Sequence, residues 1–140
     1  MNNLETAFFL YRSRTELTAR STQCADILHE ARTRNLELGL TGYLHLEDGR
    51  FYQWLEGPAL PLDDVGQMIV RDQRHRDVEF LWRGNQTERR FPNWQMGFGT
   101  SSAGTLFDYV ADQGIQVSDL KLFATGLLQF MQFRFREKSG

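Results

Sequence analysis

The dipeptide Asp48-Gly49 constrains the fold of this chain more than any other feature, because it joins two segments of strand character. In Leu40 to Leu46 the leucines lie on one side and Thr, Tyr and His residues on the other, and Arg50 to Glu56 forms the returning strand. A type I′ turn requires a positive φ angle at both central residues, which Asp-Gly accommodates. The sequence therefore predicts an antiparallel hairpin.

Two elements precede the hairpin. Ala7 to Tyr11 is apolar on both sides of the strand period, which is typical of a central strand covered on both faces. From Thr22 to Arg34, apolar residues recur at helical spacing, so we expect a helix there. Asn35 is expected to close it, since asparagine tolerates the left-handed conformation in which many helices end.

Three elements follow the hairpin. A helix is predicted over Leu62 to Asp72, with Pro61 near its first turn, and two short strands over Val78 to Trp82 and Trp94 to Phe98. The order is then βαββαββ. Because both helices follow strands and must cover the same sheet face, the sequence predicts an α+β, ferredoxin-like sandwich. It consists of a five-stranded mixed sheet with two helices on one face.

Residues 101–140 are predicted to be helical, weakly over Thr105 to Asp112 and strongly over Ser118 to Arg136. The apolar residues of the last helix exceed one stripe. Those that lie off the main stripe are Leu122, Phe130 and Phe133. We expect the helix to cover the sheet face opposite the two earlier helices and to contribute to a homo-oligomer. The chain is thus divided into a core domain, residues 1–100, and a helical extension for capping, oligomerisation and output.

Composition excludes several classes of protein. The chain has 140 residues and a formal net charge of -2, so it lacks the concentrated positive charge that nucleic-acid binding requires. It contains no apolar run of the roughly 18 residues that span a bilayer, and its start is polar, which predicts a cytoplasmic protein. Cys24 is the only cysteine, and His29 and His45 lack ligands at metal-binding spacing. We therefore expect no disulfide and no metal site.

Two polar residues on predicted core strands are candidate site residues. Strand alternation places Gln53 on the same side as Phe51 and Leu55, so a primary amide points toward the core. Tyr11 ends the first strand, and a buried tyrosine hydroxyl also needs a partner. Each residue alone is explained by ordinary hydrogen bonding within the protein. In a ferredoxin-like sheet, however, the first strand runs beside the third, so Tyr11 and Gln53 are predicted neighbours beneath the helices.

The other candidates allow both a structural and a ligand-binding interpretation. Asn35 either ends its helix or forms hydrogen bonds with a ligand. Trp94 and Met96 share a side of the last strand with Phe98, and they either fill the core or pack against a flat ring system. The basic run from Arg71 to Arg76 either is a solvated helix end, where cations are favoured, or grips a phosphate.

Taken together, several segments resemble the BLUF family of blue-light sensors that use FAD. They are Leu10-Tyr11-Arg12-Ser13, Asn35 to Gly42, Gly49 to Gly57, Arg71 to His75 and Arg90 to Met96. They occur in the order and spacing of the family, across about residues 4 to 100. The resemblance implies a noncovalent FAD between the two helices, and a sensor that is not an enzyme, since a chain of this length has no room for an appended cyclase or phosphodiesterase.

The resemblance also implies roles for individual residues. Tyr11 would give an electron and a proton to the excited flavin, and Gln53 would rotate or tautomerise to produce a red-shifted signalling state. Trp94 and Met96 match a pair that relays the change outward, toward the C-terminal helices and an unidentified protein partner. The implied FAD contacts are Tyr11, Ile27, Asn35, Gln53 and Ile69 at the ring, with Arg71, Arg74 and His75 as candidates for the diphosphate.

The sequence departs from the family pattern at two positions, and it leaves two other functions open. Arg34 stands where relatives often carry an amide or a histidine, and Met68 stands where some carry a basic residue. A phosphate-handling enzyme of the acylphosphatase type would share the fold and use Arg12, Arg14 or Arg20, although the loop after the first strand lacks a glycine for phosphate approach. A light-insensitive regulatory domain for another flat ligand is the third interpretation.

Overall fold

A computed structural model describes residues 6–100, 104–115 and 119–139, with side chains as far as residue 134 in the last helix. Its strands, β1 to β5, are Thr6–Arg14, Thr41–Glu47, Arg50–Gly57, Arg76–Gln86 and Gly97–Thr100. Its helices, α1 to α4, are Thr22–Leu38, Ala59–Arg71, Thr105–Asp112 and Leu120–Ser139. The sheet order is β4-β1-β3-β2-β5, antiparallel except for the β2–β5 pair. The predicted ferredoxin-like α+β fold is confirmed.

The predicted hairpin sets the register of the sheet. Asp48 and Gly49 have φ angles of 53° and 73°, the two positive values that a type I′ turn requires. The ladder from Glu47↔Arg50 to Thr41↔Glu56 then fixes which residues of β3 face each side. Because β1 pairs with the other edge of β3, the same register places Tyr11 directly opposite Gln53.

The sheet is covered on both faces. On one face, which we call the α1/α2 face, the buried side chains are Phe9, Tyr11, Cys24, Ala31, Leu40, Leu44, Leu46, Phe51, Leu55, Leu62, Val65, Ile69 and Met96. On the other, the α3/α4 face, they include Phe8, Leu10, Tyr43, Tyr52, Trp54, Phe91, Leu106, Val110, Phe123, Leu127, Phe130 and Met131. This double cover explains why every residue of β2 is buried.

Three predicted element boundaries are wrong in informative ways. Helix α1 continues to Leu38, and Gly39, with a φ angle of 71°, ends it in the left-handed conformation. Asn35 therefore lies inside the helix. Strand β5 begins only at Gly97, so Trp94 and Met96 precede it and do not share one strand face. Strand β4 is longer than predicted, because its polar residues lie on an exposed edge of the sheet.

The last helix packs as its main apolar stripe predicts. Phe123, Leu127 and Met131 are fully buried against the sheet. Of the residues off the stripe, Phe130 is buried, whereas Leu122 and Phe133 are 49% and 50% exposed. The predicted start of the helix, Ser118, lies outside the described residues. None of the described helices combines the length and hydropathy needed to cross a bilayer.

Candidate functional site

A cavity with about 50 Å³ of solvent-accessible volume lies between α1 and α2 on the sheet. Its floor consists of β-strand side chains: Tyr11, Leu44, Phe51 and Gln53. Ile27 and Ala31 of α1 and Ile69 of α2 form apolar walls, and Glu30, Arg34, Asp72, Arg74 and His75 add polar groups. An apolar slot with a few convergent polar groups is the usual form of a small-molecule site. The cavity brings together the predicted residues Tyr11, Ile27, Gln53, Ile69, Arg74 and His75.

Tyr11 and Gln53 form a buried hydrogen-bonded pair on the cavity floor. The Tyr11 hydroxyl donates to Gln53 Oε1 at 2.6 Å, and Gln53 is only 5% exposed. The amide nitrogen of Gln53 lies 3.5 Å from the sulfur of Met96, which is a weak acceptor. The pair is therefore in contact, as predicted, and one side of the amide is left weakly bonded.

Burial fixes the protonation state of Tyr11. Desolvation raises the pKa of Tyr11 far above its usual value, the charge of Asp72 raises it further, and Arg34 opposes both effects. The phenol thus stays protonated wherever the protein is folded, and it remains a hydrogen-bond donor to the Gln53 amide. A neutral phenol loses an electron more readily when its proton can move to an acceptor, and Gln53 Oε1 accepts the hydrogen bond from this phenol.

Two buried polar atoms of α1 have no hydrogen-bond partner within the described part of the chain. They are Nε of Arg34, which lines the cavity, and Oδ1 of Asn35. The other end of the Asn35 amide, Nδ2, donates to the backbone oxygen of Gln95, which orients the side chain. Such unpaired groups cost about 1–3 kcal/mol each, so α1 is incomplete as a purely internal structure at Arg34, which lines the cavity, and at the adjacent residue Asn35.

Charged residues close the mouth of the cavity. The Arg74 guanidinium contacts Asp72 at 2.7 Å and Glu30 at 2.9 Å, and so bridges the loop after α2 to α1. Hydrogen bonds from Arg74 lower the pKa of Asp72 and that of Glu30, and the two carboxylates raise the pKa of Arg74. The mouth is therefore polar and held by ion pairs, whereas Tyr11 and Gln53 are the polar side chains of an otherwise apolar floor.

His75 supports the floor from the same loop. Its Nε2 donates to the backbone oxygen of Ile69 at 2.6 Å, because a carbonyl can only accept, and Nδ1 pairs with the Ser13 hydroxyl at 2.7 Å. The ring meets Tyr11 and Phe51 edge-on. Both ring nitrogens are engaged within the protein, so His75 positions the aromatic floor.

Not every predicted contact lies at the cavity. Arg71 points into a separate groove between α2 and β4, with Arg83 and Phe80. Asn35 is fully buried in α1 but does not line the cavity wall. Trp94 packs on the α3/α4 face, where it stacks on Tyr43 at a centroid distance of 6.1 Å.

Met96 and Trp94 are two residues apart in sequence, yet they serve opposite faces of the sheet. Met96 is buried on the α1/α2 face beside Gln53, whereas Trp94 belongs to the α3/α4 face. The chain between them passes the edge of β2, where the backbone N–H of Gly42 donates to the backbone oxygen of Trp94 at 3.0 Å. Their common strand face, predicted from the sequence, is therefore wrong, and the segment instead joins the two faces.

This geometry agrees with a family match. The model of the BLUF family, described as sensors of blue light using FAD, matches residues 7–97, which include every residue that lines the cavity but not the helices α3 and α4. The chain belongs to the BLUF family. FAD is accordingly its cofactor, and the matched region is a sensor domain, not a catalytic one. This membership decides against the acylphosphatase-type interpretation.

Relatives of two kinds resemble this BLUF protein. The photoactivated adenylate cyclase subunit beta of Euglena gracilis is 30% identical over 94 residues, which are 67% of this chain but 11% of that relative. The subunit alpha from the same organism is 35% identical over 72 residues, which are 51% of this chain and 7% of that relative. The chain thus spans about a tenth or less of these curated relatives.

Solved structures match over nearly the full length. The dark-state structure of the BLUF protein BlrB is 28% identical, with a TM-score of 0.76, and 93% of this chain and 97% of that chain are covered. The ground-state structure of BlsA is 26% identical, with a TM-score of 0.71 and coverage of 88% and 87%. The likeness therefore includes the helices of the α3/α4 face as well as the sheet.

The residues of the cavity fit an isoalloxazine ring of FAD. Ile27 and Ile69 provide apolar walls on opposite helices, as a flat aromatic ligand requires. At the cavity, the amide nitrogen of Gln53 and the unpaired Nε of Arg34 are the donors that would meet the polar edge of the ring. Arg74 belongs to the same lining, and its role toward the diphosphate, like the role of Asn35 at the ring, stays a prediction.

Sequence reasoning missed part of the site. The cavity-lining roles of Glu30 and Asp72 were not predicted, although the spacing Asp72-x-Arg74 at a helix end is typical of a local ion pair. Arg34 appeared only as a departure from the family pattern. The partner of the Glu30 carboxylate is 44 residues away in sequence, so no local pattern indicates it.

Proposed function

We propose that this protein is a blue-light photoreceptor in which Tyr11 and Gln53 convert light absorption into a change of hydrogen bonding. The observation that carries the proposal is the 2.6 Å hydrogen bond between the two side chains on the floor of the cavity. Bound FAD supplies the absorption of blue light and, once excited, a strong oxidant. All further steps belong to the side chains of this chain.

Tyr11 is the electron and proton donor. Its phenol is buried and neutral, and its hydroxyl already donates to an acceptor, so electron loss and proton loss can occur together. The proton passes toward Gln53 Oε1, and the return of electron and proton restores the tyrosine. The Phe9 and Phe80 rings pack beside Tyr11, at centroid distances of 6.2 and 6.0 Å.

Gln53 retains the light-induced change as a new orientation or tautomer of its amide. Its amide has a donor end and an acceptor end, so a half-turn or a tautomerisation reverses every hydrogen bond it makes. In the structure Oε1 faces Tyr11 and Nε2 faces Met96. After the change the Tyr11 hydroxyl and the Met96 sulfur face different groups, which supports a red-shifted signalling state that decays in the dark.

Residues 91–96 relay the change across the sheet. Met96 senses the Gln53 amide on one face, and Trp94 stacks on Tyr43 on the other. Phe91 also stacks on Tyr43, at a centroid distance of 5.6 Å, and lies in the same cluster as Leu127 and Met131 of α4. A shift of this segment therefore reaches the packing of the C-terminal helices.

The output is contact with other chains. Leu122 and Phe133 of α4 and Phe107 of α3 expose apolar side chains on the outer surface of these helices. This supports a homo-oligomer or a downstream protein partner in the cytoplasm, with the C-terminal helices as the output element. Light scattering of dark and illuminated protein tests this step, and a strict monomer in both states at high concentration would contradict the oligomer.

The absorption spectrum before and after blue light tests the function itself. We expect a yellow, FAD-containing protein with a small, reversible red shift. Tyr11→Phe should keep FAD and lose the shift, because the ring remains and the hydroxyl is gone. Tyr52→Phe is the matched control, since Tyr52 is also a buried tyrosine, next to Gln53 on β3, but on the α3/α4 face. A normal photocycle in Tyr11→Phe would remove Tyr11 from the mechanism.

A further inference from the structure

Glu56 is a fully buried carboxylate at the end of β3, three residues after Gln53, and its side chain lies on the α3/α4 face. Its two oxygens accept hydrogen bonds at 2.7–2.9 Å from the backbone N–H groups of Arg90 and Phe91 and from the side chains of Thr41, Trp54 and Gln86. No ion pair reaches it among the described residues. Its charge is therefore stabilised by neutral donors alone.

This donor set requires an ionised carboxylate. A carboxylate accepts at both oxygens and offers about four lone-pair positions, which five donors saturate. A glutamine in its place has only one oxygen, and its NH₂ group would face donors. Because Arg90 and Phe91 donate through their backbones, Glu56 fixes the path of the main chain as it enters the segment that carries Met96.

The segment of residues 89–96 is held at its other positions as well. Arg89 donates to the Thr41 hydroxyl and to the backbone oxygen of Gly39. At the far end, Arg32 of α1 donates to the backbone oxygen of Met96 at 3.0 Å. The anchors leave little freedom for Met96, and Glu56 is the side chain that binds two consecutive backbone N–H groups of the segment.

We propose that Glu56 is a positioning residue for the photochemical pair, because it holds residues 89–96 so that the Met96 sulfur meets the Gln53 amide. The inference rests on the proposed function, in which the Gln53 amide changes orientation. With Oε1 toward Tyr11, the amide presents its donor to the weakly accepting sulfur. After a half-turn an oxygen faces the sulfur, and two acceptors meet. A fixed Met96 therefore favours the dark orientation and speeds the return to it.

Dark recovery of the FAD-loaded full chain tests the proposal. Glu56→Gln should keep FAD and the light-induced red shift but slow the recovery about two- to tenfold, the range that one net hydrogen bond is worth. Met96→Leu, which removes the sulfur, should slow recovery similarly. The double variant should recover no more slowly than Met96→Leu alone, because Glu56 acts through Met96. Slowing by the product of the two single effects would overturn the proposal.

Glu47→Gln is the matched control. Glu47 is also a buried carboxylate on the α3/α4 face, but its oxygens bind the Leu106 N–H and His45, with no hydrogen bond to residues 89–96. Recovery in this variant should stay close to that of the wild type. Equal slowing by Glu47→Gln and Glu56→Gln would indicate general loosening of that face, and would refute a specific role for Glu56.

Thr41→Val replaces Glu56→Gln if the latter does not fold. It removes one donor to Glu56 and the hydroxyl that Arg89 contacts, and it nearly conserves shape. Thr41→Val should slow dark recovery in the wild-type background but not in the Met96→Leu background. An unchanged recovery rate of Thr41→Val in the wild-type background would overturn the proposal. A wild-type protein without any red shift would instead refute the proposed function, so the two failures are distinguishable.

Discussion

The two faces of the sheet treat buried polar groups in opposite ways. On the α3/α4 face, Glu56 and Glu47 are buried and their oxygens have donors from the surrounding protein. Among the described residues of the α1/α2 face, Arg34 Nε and Asn35 Oδ1 lack partners, and the Gln53 amide nitrogen contacts the Met96 sulfur, a weak acceptor. The buried carboxylates of one face are therefore satisfied by the protein, whereas polar groups beside the cavity keep hydrogen-bonding capacity for a ligand.

The largest expected effect comes from Gln53, whose amide lies on the floor of the cavity. Gln53→Leu keeps the volume of the floor but leaves the Tyr11 hydroxyl without an acceptor, so the light-induced red shift should disappear completely while FAD stays bound. Difference spectra after a blue flash measure this. Gln67→Leu, an exposed glutamine on α2, is the control and should keep the shift. A persistent shift in Gln53→Leu would show that another group stores the signal.

Asn35→Leu should weaken FAD binding about tenfold, which corresponds to roughly one charge-neutral hydrogen bond. The reason is that its Oδ1 accepts no hydrogen bond from the described residues, which leaves it available to a ligand. The stability of the FAD-free protein should change by only about 1 kcal/mol, since the variant loses the bond to Gln95 but also an unpaired group. Titration with FAD and urea unfolding measure the two quantities, with exposed Asn85→Ala as control.

A loss of stability without a loss of FAD affinity would contradict this interpretation of Asn35. It would mean that the amide serves only to hold Gln95. The FAD titration and the urea unfolding together therefore distinguish a contact with FAD from a hydrogen bond that only holds Gln95.

Glu47→Gln should lower stability and leave the flavin site unchanged, which is the reverse of the pattern expected for Asn35→Leu. Both oxygens of Glu47 accept from the Leu106 N–H near the start of α3, where an anion is also favoured by the helix dipole. We expect a loss of about 1–3 kcal/mol in the free energy of unfolding and faster exchange of the Leu106 amide hydrogen, with an unchanged dark spectrum. A changed dark spectrum would mean that the α3/α4 face is not independent of the cavity.

The sequence predicted the α1/α2 face better than the α3/α4 face, for a physical reason. Strand alternation and the Asp48-Gly49 turn are local signals, and together they placed Gln53 opposite Tyr11. Four of the five hydrogen bonds of Glu56 join residues 15 to 35 positions apart. No local pattern in the sequence indicates these partners.

The path of residues 91–96 was unpredictable for a related reason. Alternation assumes a regular strand, but this segment is irregular and turns at the edge of β2, so that Trp94 and Met96 reach different faces. The wrong end of α1 has a simpler cause. Asn35 and Gly39 both favour a left-handed end, and the buried Asn35 amide is used within the helix layer instead.

The smallest effect is expected at the mouth of the cavity, where the α1/α2 face meets solvent. The Asp72 side chain is 27% exposed, and hydrogen bonds from Arg74 lower its pKa below the usual 3.8. A carboxylate whose pKa is lower in the folded state stabilises the fold above its unfolded pKa, and this contribution is lost as the pH falls through the folded pKa. Asp72→Asn should therefore cost about 0.3–1 kcal/mol at pH 7, and less at high salt.

The pH dependence separates this charge effect from a packing defect. The difference between wild type and Asp72→Asn should shrink as the pH falls below about 4, and vanish once the carboxyl is protonated in both states. Asp77→Asn is the control, since Asp77 is 66% exposed and meets Arg14 only at 3.9 Å. Urea unfolding at a series of pH values gives both curves. A difference that persists at pH 2 would mean that Asp72 acts through its shape in the loop, and that the mouth of the cavity is held by packing more than by ion pairs.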